Sequence, residues 1–395
     1  MAKIYPWIIL AVLFLARMAL GYQFQSIASV APFLVNSLHV NYAEIGSLIG
    51  IYMLPGAFVS LPAGLIGRHV GDRSFAVTAL ALMAAGGVIV ALSHGYALAL
   101  AGRLTSGAGN AMLNMVLTKM VTDWFAERGL ALAMGILLAS WPFAIGTGLI
   151  VHNMIASRWG WSIVMYSTAG FCTVAMLLVA FLYHAPGGSR RAKGARKSPP
   201  AATSAFALPP LNESLPALVS GSIWGTYNIA LLVFFSFAPL LLVEHGALRG
   251  EAASWVSTAL WIGMVSVPLG GFLVQRIGRG NAVISVFCFL SAWIFALLPS
   301  GAWPLTLCAL LGVTMGPPAG AIMALPPRAL SIKNRSTGLG LFYTIHYSLA
   351  AVGPAIAGYL RDVTGGTTAS VIFGAACFLA ILPLLMLFER LLKQR

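Results

Sequence analysis

Along this chain of 395 residues, apolar runs alternate with short segments rich in Gly, Pro and basic side chains. Each run of about 20 residues is long enough to cross the ~30 Å hydrocarbon core of a bilayer as a helix. Charged and turn residues punctuate six such spans in the first half, near 6–37, 42–66, 75–93, 96–121, 130–153 and 162–184. Six more fall near 215–243, 252–275, 281–299, 303–325, 338–360 and 368–388. Between them, residues 186–214 carry Pro, Gly, Ser and basic residues without apolar periodicity and read as a flexible linker. That division predicts a first bundle over 1–185 and a second over 215–395.

An internal repeat supports the division. Gly64 and Gly71, after the second span, recur as Gly271 and Gly278 after the eighth, both offset by 207 residues. A fainter echo pairs Pro142 and Gly146 with Pro354 and Gly358. Repeats of this parallel kind predict two bundles related about the membrane normal, with a solute site between them near mid-membrane. The expected fold class is an all-α membrane protein of twelve transmembrane helices in two pseudo-symmetric six-helix bundles.

Composition agrees with that pattern. Hydrophobic residues make up 59% of the chain and charged ones 8%, against roughly 25% charged in soluble domains. The net charge of +14 does not point to nucleic acid, because the basic residues sit in short loops rather than on one soluble patch. Of 23 Lys and Arg, 18 fall on the side of both termini, the linker and the even-numbered loops. Three, Arg158, Arg249 and Arg361, fall on the other side, and Arg17 and Arg103 lie within spans. The positive-inside rule then predicts both termini in the cytoplasm of a cell with an inner membrane.

Lys3 and the apolar run after it suggest a secretory signal at first sight. The run continues through 26–38 without a small-residue cleavage site, so a retained first span is expected. Cys172, Cys288, Cys308 and Cys377 lie singly in apolar runs with no CxxC spacing, which favours packing over metal or redox chemistry.

The loop after the second span reads GLIGRHVGDR, from Gly64 through Arg68, Gly71 and Asp72 to Arg73. Its second-half copy keeps Gly271, Leu273, Arg276, Gly278 and Arg279, and the fourth span carries Arg103, Leu104, Gly107 and Gly109. With these motifs the chain resembles the major facilitator superfamily along essentially its whole length. The family loop is G-x-L-x-D-R-x-G-R-R; here Arg68 replaces the usual Asp, and an acid appears instead at Asp72. The resemblance implies a gating role for Gly64, Arg68, Gly71, Asp72, Arg73, Arg103, Gly271, Arg276, Gly278 and Arg279, with the usual gating ion pair out of register. The first-span string ARMALGYQFQSIASVAPFL is similar to the cyanate and nitroimidazole permease-like branch and to bacterial carriers of organic anions or vitamins.

Arg17 lies about ten residues into the first span, ~15 Å deep. A guanidinium there costs at least ~2.5 to 3.5 kcal/mol on insertion scales and is expected to face a bundle interior or a wet cavity. Two roles stay open for it: contact with solute, or pairing with helix carbonyls and polar side chains. No Asp or Glu falls at comparable depth, so an anionic solute is a natural counter-charge. For Arg103 a structural tie is the stronger reading. The missing carboxylate also argues against proton coupling through a buried acid and leaves His346 as the deep titratable group. Tyr22, Gln23, Gln25, Asn110, Asn114 and Trp141 in the first half are expected to line the site. Trp224, Tyr227, Asn228, Tyr343, His346 and Tyr347 join them from the second, an aromatic set suited to stacking on a planar ligand.

No Walker, GxSxG or HExxH pattern occurs, so neither an ATP-driven pump nor an enzyme is expected. No cofactor or metal is expected either. The predicted function is secondary transport of a small organic solute by alternating access, first an organic anion or similar nutrient. A neutral or zwitterionic aromatic compound such as a vitamin, for example a flavin, is the second reading, and drug efflux the third. The expected partners are that solute and the lipid bilayer, without nucleic acid, and the expected state is monomeric.

Overall fold

The computed structural model describes residues 5–59, 71–125, 130–185, 209–331 and 334–394. In the first half, α1 (Tyr5–Ser29) and the short α2 (Ala31–Leu38) form one bent span, because Pro32 lacks the N–H that would continue the helical ladder. The second span is likewise divided into α3 (Tyr42–Gly50) and α4 (Leu54–Val59), with Pro55 at the break. Asn41 and Glu44 form a capping box at the start of α3. Then come α5 (Asp72–Ala91), α6 (Tyr96–Phe125), α7 (Leu130–Trp159) and α8 (Trp161–Leu182).

The second half holds α9 (Leu211–Glu244), α10 (Arg249–Ile277) and α11 (Gly280–Leu297). Its tenth span, expected as one helix, is three: α12 (Pro304–Met315), α13 (Pro317–Met323) and α14 (Leu325–Ala329), interrupted at Pro317, Pro318, Pro326 and Pro327. The chain closes with α15 (Arg335–Thr364) and α16 (Thr368–Lys393). Helix α9 begins four residues inside the stretch read as linker. Pro210 stands at its N-cap, and Glu213 in its first turn accepts bonds from Ser331 and Asn334.

Ten described helical spans are long and apolar enough to cross a membrane. The other two expected spans are absent from that set for physical reasons. The second is broken into short pieces, and the fourth, α6, is diluted by Arg103, Asn110, Asn114 and Lys119. Phe58, Phe181, Phe272, Trp293 and Met386 are exposed, an outer surface that lipid and not water would solvate. The protein is an integral membrane protein.

Packing repeats between the halves. Helix α1 packs on α7 and α8 as α9 packs on α15 and α16, and α5 packs on α6 and α8 as α11 packs on α12 and α16. The two bundles meet where α3 and α4 lie against α15 and where α7 lies against α10. Below, the terminal face carries Tyr5 and Lys393, and the distal face carries Tyr42, Glu244 and Arg361. All four cysteines are buried and unpaired.

Candidate functional site

Arg17 projects from the middle of α1 and is only 8% exposed. Its Nη1 donates to Asn114 Oδ1 of α6 at 2.9 Å, while its Nε has no hydrogen-bond partner among the described residues. Tyr343 and Tyr347 of α15 stand beside the guanidinium from the opposite bundle, and the Tyr347 hydroxyl faces the Asn114 amide. None of the described ion pairs includes Arg17. A guanidinium offers five N–H donors, so this one keeps most of its capacity unspent at the bundle interface.

The second bundle supplies an aromatic wall. Trp224 and Tyr227 stack at 5.4 Å and 16° on α9, and His346 lies 5.9 Å from Trp224 and 4.8 Å from Tyr347. Tyr343 and Tyr347 stack at 6.3 Å. Spacings of three and four residues put each set on one helix face. The Tyr227 hydroxyl is spent on the Met315 carbonyl at the end of α12, one of those a helix terminus leaves without an intrahelical donor. Asn228 Nδ2 donates to the Trp224 carbonyl of its own helix at 2.7 Å.

The other expected residues separate by direction. Gln25 Nε2 donates across the interface to the Phe235 carbonyl at 3.3 Å. Trp141 packs 5.7 Å from Phe24, and Asn110 is buried one turn before Asn114. Tyr22 and Gln23 instead turn into the first bundle. The Tyr22 ring meets His152 and Phe171 at 4.2 and 5.5 Å, and Gln23 Nε2 donates to the Met83 carbonyl at 2.8 Å. The structure therefore gathers Arg17, Asn114, Trp224, Tyr227, Tyr343, His346 and Tyr347, and leaves Tyr22 and Gln23 outside that group.

The distal face is closed over this group. Asp362, near the end of α15, accepts from the backbone N–H of Tyr42 at 3.0 Å and of Ala43 at 2.7 Å, capping α3 from the opposite bundle. Arg361 lies 3.4 Å from the centroid of the Tyr42 ring and donates to Glu244 at 2.8 Å. Glycines let the backbones touch. A Cβ at Gly46 would lie 2.0 Å from the Pro354 carbonyl oxygen, one at Gly50 1.8 Å from that of Ala351, and one at Gly358 1.9 Å from that of Tyr42.

Residues 13–354 match the family profile described as Major Facilitator Superfamily. The chain belongs to that superfamily. Among its relatives is a hexuronate transporter of Bacillus subtilis (strain 168), 22% identical over 89% of this chain and 87% of the relative. Its fold is similar to that of a bacterial homologue of the human lysosomal transporter Spinster in an inward-facing, occupied conformation. That likeness has a TM-score of 0.77 and 15% identity, over 98% of this chain and 97% of the other. A D-xylose-proton symporter aligns with a TM-score of 0.69 and 15% identity, over 96% and 97% of the two chains.

In this superfamily member, Arg103 contrasts with Arg17. It is 1% exposed, and its Nε, Nη1 and Nη2 donate to the carbonyls of Leu48, Gln23 and Phe24 at 2.9, 3.1 and 3.4 Å, with the Tyr52 ring 4.4 Å away. Every link lies inside the first bundle, tying α6 to α1 and α3. Gly107 and Gly109 of the same motif pack against the Tyr52 and Ala79 carbonyls. Arg103→Leu is expected to lower the yield and thermal stability of folded carrier, because it removes three charge-assisted hydrogen bonds to buried carbonyls, each typically worth about 1.5 to 3 kcal/mol. Thermal unfolding in detergent measures it; unchanged stability would contradict the tie.

The remaining gating candidates lie at the terminal face. Asp72 pairs with Lys119, which also reaches Asp123 at 3.3 Å, so this acid links α5 and α6 of one bundle. Arg73, Arg276 and Arg279 are exposed. Gly64 and Arg68 lie outside the described residues. At Gly71 and Gly271 a Cβ would meet nothing described within 4 Å. Gly278 is required for its backbone alone, since φ of 67° caps α10 in the left-handed region.

Two cavities adjoin the interface. One of about 420 Å³ is lined almost wholly by apolar groups, among them Met134 and Pro142 of α7, Tyr227 and Phe235 of α9, and Met264 of α10. Of the expected site residues it touches Tyr227, and Arg17 is not on its wall. A distal one of about 210 Å³ is lined by Ser29, Tyr42, Asn153, Glu244, Arg249 and Arg361, among others.

Proposed function

We propose that this carrier moves a small organic anion across the inner membrane by alternating access, with both termini cytoplasmic and Arg17 recognising the anionic group. The observation that carries this reading is the buried Arg17 guanidinium at the interface, with one hydrogen bond made and no described carboxylate on it. Asn114 and Tyr347 flank it and supply further polar contacts. The wall of Trp224, Tyr227 and Tyr343 would hold the organic body. A relative named for hexuronate, a sugar carboxylate, supports the same chemistry. Neutral aromatic solutes form the second reading, favoured by the apolar cavity beside Tyr227.

Uptake into proteoliposomes decides between them. Sugar and aromatic carboxylates are expected to enter while their neutral amides do not; uptake of the amides alone would favour the second reading. Orientation has its own test. A reporter fused after Arg196 is expected on the cytoplasmic side and one after Arg249 on the opposite side, and finding both on one side would overturn the twelve-span arrangement.

A further inference from the structure

We propose that His152 is a proton-binding site of the carrier, loaded from the distal cavity when the bundles part on that side. The proposal rests on the alternating-access reading above. His152 is fully buried in α7, and neither Nδ1 nor Nε2 has a hydrogen-bond partner among the described residues. A neutral imidazole carries one donor and one acceptor, and protein interiors rarely leave such groups unpaired. Two more orphans lie on the facing helix. Gln25 Oε1 and Ser29 Oγ are buried without partners, and four-residue spacing puts them on one face of α1. His152 and Gln25 meet at Gly148, where a Cβ would lie 3.1 Å from His152 Cε1 and 3.5 Å from Gln25 Cβ. The Tyr22 ring closes the other side at 4.2 Å.

The distal cavity ends beside this cluster. Ser29, one turn on from Gln25, lines it, as do Leu149 and Asn153, three residues before and one after His152 on α7. Every described Asp and Glu lies near a helix end, so none is placed to carry a proton through the spans. Neither His346 nor His152 lines that cavity itself, but Leu149 and Asn153 beside His152 on α7 do, and the ordinary titration of an imidazole falls near neutrality.

The electrostatic surroundings are simple. Helix α1 brings Tyr22; α8 brings Ser167 and Phe171 through Tyr22; and α10 brings Ser257 and Trp261, against Gly146. The buried cation of α6, Arg103, is held by carbonyls of α1 and α3. Across the cavity stand Tyr42, Arg249 and the Glu244–Arg361 pair. In the closed state a proton on His152 would be a buried charge without a counter-ion. In the open state an imidazole nitrogen takes a proton from hydronium in the cavity, leaving water, and the unpaired Gln25 Oε1 on the facing helix is the acceptor that a side-chain rotation would bring to the new N–H. Because Gln25 Nε2 holds the Phe235 carbonyl of α9, loading reaches the bundle interface.

Solid-state NMR of the full-length, 15N-histidine-labelled carrier in lipid tests this between about pH 5 and 8. His152→Gln, or His152→Asn should the first not fold, identifies the signal. Gly358→Leu supplies the opened distal face, checked by maleimide labelling of Leu240→Cys in the cavity wall. His152 is expected to stay neutral throughout in wild type and to take up one proton in Gly358→Leu. An opened variant in which His152 stays neutral overturns the proposal. A variant that does not open removes the alternating-access reading, and the proposal with it.

Discussion

Gly358→Leu is expected to lower turnover about 100-fold or more while leaving the carrier folded in the membrane. A Cβ at that position would lie 1.9 Å from the Tyr42 carbonyl oxygen and 2.9 Å from Ala43 Cα, backbone atoms at the head of α3 that no rotamer change can move aside. Overpacking in an ordinary core costs about 1 to 3 kcal/mol, and a differential of roughly 2.7 kcal/mol already shifts a two-state equilibrium about 100-fold. The strain falls on the distal-closed state alone, so the bundles part. Leu240→Cys in the distal cavity should then label with maleimide much faster than in wild type. Asp362→Asn should move labelling the same way by a smaller factor, since it weakens two charge-assisted bonds to the start of α3. Gly71→Leu, with nothing described within 4 Å, should label and transport as wild type does. Equal labelling of all three would remove α3 and α15 from gating.

The fold was legible because each span announces itself by length and apolar run, and the repeat by the 207-residue offset of its glycines. Arg17 was legible because depth follows from residue count, and its lack of an acidic partner from where the acids fall. What a single sequence does not reveal is helix rotation. Tyr22, Gln23 and Gln25 are neighbours in α1, yet Gln25 crosses to α9 while Tyr22 and Gln23 turn inward. Only the packing partners set that direction. His152 falls at the edge of the expected fifth span, 130–153; the helix runs on to Trp159 and buries it. Asp362 falls just past the expected eleventh span, 338–360, and its partners are backbone N–H groups 320 and 319 residues away, which leave no mark on side-chain patterning. The repeated loop motif contains Gly71, whereas the close backbone approaches between the bundles occur at Gly46, Gly50 and Gly358, outside it.

Arg17→Lys and Arg17→Gln are both expected to weaken binding of the anionic solute at least tenfold. A guanidinium can offer a carboxylate two parallel hydrogen bonds, a geometry the ammonium of Lys does not copy even though it keeps the charge. Losing a buried, hydrogen-bonded charge contact costs on the order of 2 to 5 kcal/mol, and ~1.4 kcal/mol is one decade of affinity. Stability should respond in the opposite sense to Arg103→Leu. Arg17 makes one hydrogen bond to Asn114, so Arg17→Gln removes a poorly compensated buried charge and should leave thermal unfolding unchanged or raised. The decisive measurement is calorimetric binding of the best carboxylate from the uptake screen to purified wild type, Arg17→Lys and Arg17→Gln, beside their unfolding temperatures. Weakened binding by both variants at undiminished stability is the predicted result; equal affinity in all three, with stability lost in the variants, would show Arg17 to be a structural tie and contradict anion recognition.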